Sequence, residues 1–509
     1  MWYSVIAMNG KELLVGLAAG MAWCAGAAVM IDDAHDRVQT TFDPQMDRIG
    51  TLRPRPAREV GRSHLAIGCE MLPRGYGDFE AFKEYLPPLG IARVRLHAGW
   101  AKLEPEPGKW DFAWLDRQVE WLIANGLEPL LETSYGNPAY PGAGGASLSD
   151  GIPKGEAALA AWDRYVDKLA ERYPQVRDWA CWNEPNNSKD NSPELLADNN
   201  IRTAQIIKKR IPDARIGMLS LSWCDLPYTK ACFKVFKERD ALGLFHWAIM
   251  HDYSPNPDMY YEGLANAWAA YVRQEAPHLT VWNGESGATS DPHFSAPISS
   301  MKWNSELTQA KWNARRLVAD LGHGFDSLVF TIYDPCYDHP ERYCNNVPEY
   351  WERSRKDRFI KRMGLLKCNE NFEVVKVKPA YYTVQNVATL FDATIEAAKF
   401  PVKPVQGERA PGLVTYAFRQ KGTDIPLVAL WDASNHPTNE NAVRRVSLDV
   451  RGAPLAEPVL VDLVTGAVYR LPGRMAIGSF GKDRIYEDVP FYDAPVVLTE
   501  RKLALAGAR

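Results

Sequence analysis

Trp182-Asn183-Glu184-Pro185-Asn186 continues the apolar run Asp178-Trp179-Ala180-Cys181, and Asn283-Gly284-Glu285-Ser286-Gly287 continues Leu279-Thr280-Val281-Trp282 in the same way. Each run has the length and composition of a buried strand, so each delivers one glutamate to the end of a strand. Outward from these two, short apolar runs recur at 64–70, 92–97, 128–132, 215–219, 245–250 and 327–332, which makes eight. Helical patterns lie between them. Residues 113–125 place Leu115, Val119 and Leu122 on one face, with Asp111 positioned to cap and Gly126 to stop the helix. Residues 156–173 place Leu159, Trp162, Val166 and Leu169 on one face and halt at Pro174. Eight strands, each followed by a helix, predict an α/β fold: a (β/α)8 TIM barrel over 63–392. A doubly wound open sheet is the rival, but no GxGxxG follows an early strand.

The texture changes beyond residue 393. Alternating runs at 413–418, 425–431, 444–450, 458–463, 467–471 and 494–498, separated by turns such as Thr465-Gly466 and Pro472-Gly473, predict a C-terminal antiparallel β-sandwich over 393–509. The segment 29–62 is expected to pack on that domain, with a possible extra strand in 41–62. Lys11 followed by the uncharged, Ala/Gly-rich stretch 13–30 reads as a signal peptide over 1–28, and hence an exported protein, periplasmic or extracellular. No second segment has membrane-spanning character. Cys336 and Cys344 flank a loop and are expected to pair if the compartment is oxidising; His339 between them makes zinc the rival, without a CxxC to support it.

The chain of 509 residues carries a net charge of −4 and no long basic run, which argues against nucleic acid as a partner. Its 17 tryptophans suit both core packing and stacking on sugar faces. Two carboxyl groups at different strand ends are what glycosidic bond cleavage requires. One must be protonated to deliver a proton to the leaving oxygen; the other must be ionised to attack or to activate water. Active sites in (β/α)8 barrels form at the C-terminal strand ends, which is where Glu184 (strand four) and Glu285 (strand seven) are expected.

This placement resembles the retaining glycoside hydrolases of clan A, in which an acid/base Glu after strand four faces a nucleophile Glu after strand seven. Trp-Asn-Glu-Pro-Asn, the earlier Leu103-Glu104-Pro105-Glu106-Pro107-Gly108-Lys109-Trp110-Asp111-Phe112 and the late Lys378-Pro379-Ala380-Tyr381-Tyr382 resemble family 39 and its relatives. The nucleophile context Asn-Gly-Glu-Ser-Gly departs from the family's usual one. The resemblance implies that Asn183 binds the sugar 2-hydroxyl, that Arg95 keeps the nucleophile ionised and that Tyr253 hydrogen-bonds it. His251, His97, Tyr135, Asn137, Trp223 and Tyr333 are candidates to line the first subsite, Phe330 or Tyr333 standing where clan members often carry Trp. Glu70, Glu132, Asp252, Asp291 and Asp334 are further carboxylates nearby.

No metal or phosphate-cradling motif is present, so no cofactor is expected, and the implied partner is an oligosaccharide or polysaccharide. The expected activity is exo cleavage of β-linked O-glycosides by double displacement, the bulky loops at 289–312 and 334–360 favouring a pocket. The alternatives are an endo-acting polysaccharide hydrolase and an inactive carbohydrate-binding protein on the same fold.

Overall fold

The computed structural model describes residues 38–148, 150–291, 304–337, 359–471, 475–477 and 484–506. The expected signal peptide, residues 292–303 and 338–358 of the expected loops at 289–312 and 334–360, and Cys344 and His339 lie outside them. Among the described residues no helix is long and apolar enough to cross a membrane.

Eight parallel strands close a barrel in sequence order: β1 (Leu65–Gly68), β2 (Arg93–His97), β3 (Glu128–Glu132), β4 (Asp178–Ala180), β5 (Arg215–Ser222), β6 (Trp247–His251), β7 (Thr280–Ser286) and β8 (Asp326–Val329). The helices around it include α1 (Ala113–Ala124), α2 (Glu156–Arg172), α3 (Pro193–Arg210), α4 (Leu226–Glu238), α5 (Asn266–Glu275), α6 (Glu306–Gly322) and α7 (Pro379–Leu390). In α1 the Asp111 carboxylate accepts from the first helical N–H, Ala113 N, at 3.0 Å, as its position in sequence predicts. The buried face of α2 is Ala158, Ala161, Trp162, Tyr165, Val166 and Leu169, one step round from the expected stripe, with Leu159 only half-buried.

Inside the barrel, Ala66, Leu130, Ala180, Trp247, Ile249, Trp282 and Leu328 form a separate apolar layer. At the strand starts, Arg93 donates to Asp326 at 2.7 Å, Trp247 donates its indole N–H to the same carboxylate at 3.2 Å, and the guanidinium lies 5.0 Å from the Trp282 ring. This packed base leaves the chemistry to the opposite end.

Strand limits differ from the sequence reading where the barrel mouth is irregular. The ladder slips on β5 between Met218 and Leu221, and on β7 between Asn283 and Glu285 against β6 and between Asn283 and Ser286 against β8. Such bulges bend a strand and re-aim its side chains, and apolar periodicity carries no sign of them. β7 therefore runs through Glu285, β6 takes in His251, and β4 ends at Ala180. The expected loop 289–312 gives way to α6 at Glu306, where Ser305 caps Thr308 and Thr308 caps Ser305.

The C-terminal domain is a β-sandwich. One sheet of seven strands runs Arg48–Thr51, Ala467–Arg470, Pro458–Asp462, Val496–Glu500, Pro426–Asp432, Leu413–Gln420, Ile395–Ala397. The other, of four, runs Val402–Pro404, Arg444–Val450, Arg484–Phe491, Met475–Ile477. Strict alternation divides Pro426–Asp432 between two cores. Val428 and Leu430 meet the second sheet, while Leu427, Ala429 and Trp431 join the barrel's core. The strand is accordingly buried on both faces from Pro426 to Trp431. Arg315 on α6 and Trp431 both donate to Asp258, at 2.7 and 3.0 Å, and Lys311 donates to Asp493 at 2.6 Å, tying barrel to sandwich.

Candidate active site

Glu285 and Glu184 meet over the barrel axis, with one carboxylate oxygen of each and the His251 ring nitrogen all within 4.8 Å of one another. Glu184 is held by an unusual backbone. Trp182 and Glu184 have φ of 61° and 43°, and the Glu184 N–H donates to the Ser220 carbonyl at 2.8 Å. That carbonyl belongs to the bulge of β5, where Leu219 and Ser220 also have positive φ. The bulge is pinned from behind by Asn200 of α3, whose side-chain oxygen accepts from the Leu219 N–H at 3.0 Å. Left-handed backbone at non-glycine residues is costly and clusters at functional sites. Gly284 is glycine for a different reason: a Cβ there would stand 2.4 Å from Ile249 Cγ2 and 3.2 Å from the His251 ring.

The two carboxyls have unlike surroundings. Glu285 accepts from Arg95 Nη1 at 2.6 Å through one oxygen and from the Tyr253 hydroxyl at 2.7 Å through the other. Burial pushes its carboxyl up, but His251, Arg95 and Tyr253 outweigh that and hold it below the ordinary carboxylate range. Glu184 instead faces His251 Nδ1 at 3.0 Å and accepts from the Asn187 amide at 2.8 Å. Among the described residues no arginine or lysine pairs with Glu184, whose ion-pair partner is His251.

Arg95 organises the floor. Besides Glu285 it donates to Glu70 at 3.1 Å, to Glu132, and to the Asn183 side-chain oxygen at 2.8 Å. Glu70 and Glu285 share one guanidinium nitrogen, and the two carboxyls are driven apart. Burial, with Glu285 and Glu132 adding to it and Arg95 opposing, pushes Glu70 up to about 8. A protonated Glu70 beside an ionised Glu285 spares the barrel a second uncompensated charge.

The remaining sequence candidates divide. Asn183 turns its amide N–H to the Tyr135 hydroxyl at 2.7 Å, so both join the cluster. His97 lies edge-on to Tyr135 with ring centroids 5.5 Å apart; burial first, then Arg95, holds it well below its usual range and neutral. Its Nε2 is 3.2 Å from Glu132, yet among the described residues neither ring nitrogen makes a well-directed hydrogen bond. Trp223 stands on the rim, 37% exposed, with its backbone N–H on the His251 carbonyl at 3.0 Å.

Two candidates are corrected. Asn137 spends its amide on the Glu104 carbonyl (2.8 Å) and its oxygen on the Ala139 N–H (2.9 Å), which makes it a brace of the loop after β3. Tyr333 turns away from the opening: it stacks on Phe82 at 4.7 Å and donates to the Glu70 carbonyl at 2.5 Å. Phe330, by contrast, packs edge-on to Tyr253 with centroids 5.9 Å apart. Of the further carboxylates, Asp252 pairs with Arg316, and Asp334 with Lys378 and Arg362, all away from the glutamates. Glu70 and Glu132 join the site through Arg95. The sequence reading missed Asn187 and Lys361, whose ammonium stands 5.9 Å from the centroid of the Tyr253 ring. Asn187 sits one helical turn past Glu184, a spacing that could have flagged it; Lys361 carried no signal.

Glu184, His251 and Glu285 also have the spacing of a cation site. The donor set fits a metal poorly, because Arg95 and Tyr253 already occupy both Glu285 oxygens and Arg95 puts a positive charge beside them.

A family model described as beta-galactosidase (Glyco_hydro_42) matches residues 78–144, which hold β2, α1, β3 and the Glu104 loop. A Thermus thermophilus beta-galactosidase is 42% identical over 50 residues, a match spanning 10% of this chain and only 8% of that protein. Among solved structures, a family 39 glycoside hydrolase from Bacteroides cellulosilyticus WH2 superposes with TM-score 0.60 at 17% identity, over 88% of this chain and 82% of its own. A monomeric beta-xylosidase from Caulobacter crescentus CB15 does so with TM-score 0.53 at 15% identity, over 89% and 98%. At these identities the likeness establishes the fold: a TIM barrel carrying a C-terminal β-sandwich, as in family 39 and its clan A relatives.

Proposed function

We propose that the protein is a retaining glycoside hydrolase, with Glu285 as nucleophile and Glu184 as acid/base. The observation that carries this is the asymmetric pair itself. His251, Arg95 and Tyr253 hold Glu285 below the ordinary carboxylate range, while Glu184 lies close by with no arginine or lysine partner among the described residues, its carboxylate 3.0 Å from the His251 ring nitrogen. Oxygens within 4.8 Å belong with the carboxyl separation of about 5–5.5 Å used for direct attack; inverting enzymes need about 6.5–9.5 Å to seat a water.

In the first step Glu285 attacks the anomeric carbon while Glu184 protonates the departing oxygen. In the second, Glu184 takes a proton from water, which releases the sugar from its ester with Glu285. Asn183, oriented by Arg95 and Tyr135, would meet the 2-hydroxyl, a bond that strengthens as positive charge develops. Both glutamates are less than a tenth exposed, which suits a pocket and exo action on a terminal, β-linked residue. Monitoring the anomeric configuration of the first product by NMR, on whichever chromogenic β-glycoside of a panel is cleaved, tests the reading. Net retention is expected, and net inversion overturns it.

The pH profile is expected to follow the ionisation of Glu285. A depressed carboxyl keeps the nucleophile charged down to low pH, so the acid limb of kcat/KM should lie below the ordinary carboxylate range. Tyr253→Phe removes a hydrogen bond made to the charged form, so that limb should move to higher pH. An unmoved limb would detach it from Glu285.

A further inference from the structure

Tyr253 owes its position to groups outside the barrel's strands. It leaves β6 two residues after His251, on the segment Asp252-Tyr253-Ser254-Pro255-Asn256-Pro257-Asp258. Pro255 and Pro257 have no amide N–H with which to bond, and side chains of α6 grip the segment instead. Arg316 pairs with Asp252. The Trp312 indole N–H donates to the Ser254 and Pro255 carbonyls, both at 3.1 Å. Arg315 donates to Asn256 at 3.3 Å and to Asp258 at 2.7 Å. These three residues share one face of α6, at spacings of three and four.

The sandwich completes the grip. Asp258 Oδ2 accepts from Arg315, and its Oδ1 accepts from the Trp431 indole N–H at 3.0 Å. Arg315 is fully buried, and its third nitrogen donates to the Asn435 carbonyl at 2.9 Å. Lys311 of α6 fixes the loop that carries Asn435, through the Thr438 and Glu440 carbonyls at 2.8 and 2.7 Å. Trp431 stacks on Tyr416 with centroids 5.3 Å apart. A buried guanidinium with every nitrogen engaged tolerates little displacement, because a partner lost there is not replaced by water. A hydrogen bond weakens steeply once its length or angle leaves the ordinary range, so a shift at Asp258 is felt where Tyr253 meets Glu285.

We propose that the β-sandwich is part of the catalytic unit, and that Trp431 is a positioning residue which, through Asp258 and Arg315, sets Tyr253 against Glu285. The kinetic consequence rests on the hydrolase reading; the placement of Tyr253 does not.

The test uses the full chain, Trp431→Phe, which keeps the stacked ring and removes only the N–H, and Asp258→Asn, which weakens the same contact from the barrel side and carries the test if Trp431→Phe does not fold. The first readout needs no substrate. The hydroxyl-bearing ring carbon of Tyr253, labelled with 13C and assigned by its loss in Tyr253→Phe, reports by NMR the pH at which Glu285 ionises. Besides Tyr253, Glu285 faces Arg95, Glu70, Glu132, Glu184, His251 and Lys361. Neither substitution alters any of these, so a midpoint moved to higher pH is the expected mark of a loosened Tyr253. The second readout is kcat/KM on a cleaved chromogenic glycoside, expected to fall about 3- to 10-fold with its acid limb moved the same way. Trp431→Phe added to Tyr253→Phe should lower kcat/KM no further, because both act at one bond. A lower melting temperature with the Tyr253 signal and the acid limb unmoved would overturn the proposal and leave Trp431 a packing residue, as would losses that multiply in the double variant. A moved Tyr253 signal in a protein that cleaves no glycoside would keep the proposal and sink the hydrolase reading. Cleavage with net retention and an unmoved signal does the reverse.

Discussion

Glu285→Ala is expected to abolish turnover, by on the order of 10⁴-fold or more, and azide is then expected to restore activity with inverted anomeric configuration. The wild-type carboxylate accepts from Arg95 and Tyr253 at 2.6 and 2.7 Å, and these donors persist after truncation. They leave a small anion-binding space at the place from which attack came. Azide entering there attacks the anomeric carbon once, from the face Glu285 used, and no second displacement follows. A single displacement inverts. Rescue with retained configuration would take Glu285 out of the nucleophile role, and full activity without azide would remove it from the chemistry.

Glu184→Ala has a different signature. Its proposed task is to protonate the leaving oxygen, and a leaving group such as 2,4-dinitrophenolate needs no proton. The first step on such a glycoside should be nearly spared, while natural glycosides, whose sugar alkoxides cannot leave unprotonated, should lose about 10²- to 10⁴-fold. The second step also uses Glu184 as base, so the glycosyl-enzyme should accumulate and the activated substrate should show a burst followed by a slow steady state. Equal losses on both substrates would refute the assignment.

Glu285 and Arg95 show why part of the site was legible. A strand's side chains alternate, and parallel barrel strands end together, so apolar runs ending in charged residues bring those residues to one rim whatever the helices do. Glu70, Glu132 and Arg95 were visible on the same grounds, as strand-end charges too costly to bury singly. The bulges of β5 and β7 were not legible. They arise where closed-barrel geometry, and side chains such as Asn200 bracing Leu219, override regular pleating. Tyr333 failed as a candidate because it lies beyond the end of β8, where alternation stops and packing on Phe82 decides its direction.

Taken alone, the sequence determined the barrel, the sandwich and which strands carry the two glutamates, because periodicity and turn chemistry are local and survive without any neighbour. Only the tertiary structure decided that His251, Arg95 and Tyr253 hold Glu285 below the ordinary carboxylate range and that Glu70 and Glu285 share one guanidinium nitrogen. Those properties depend on distances of a few ångströms between residues far apart in the chain, where Coulomb energy and desolvation change steeply and sequence spacing carries no information.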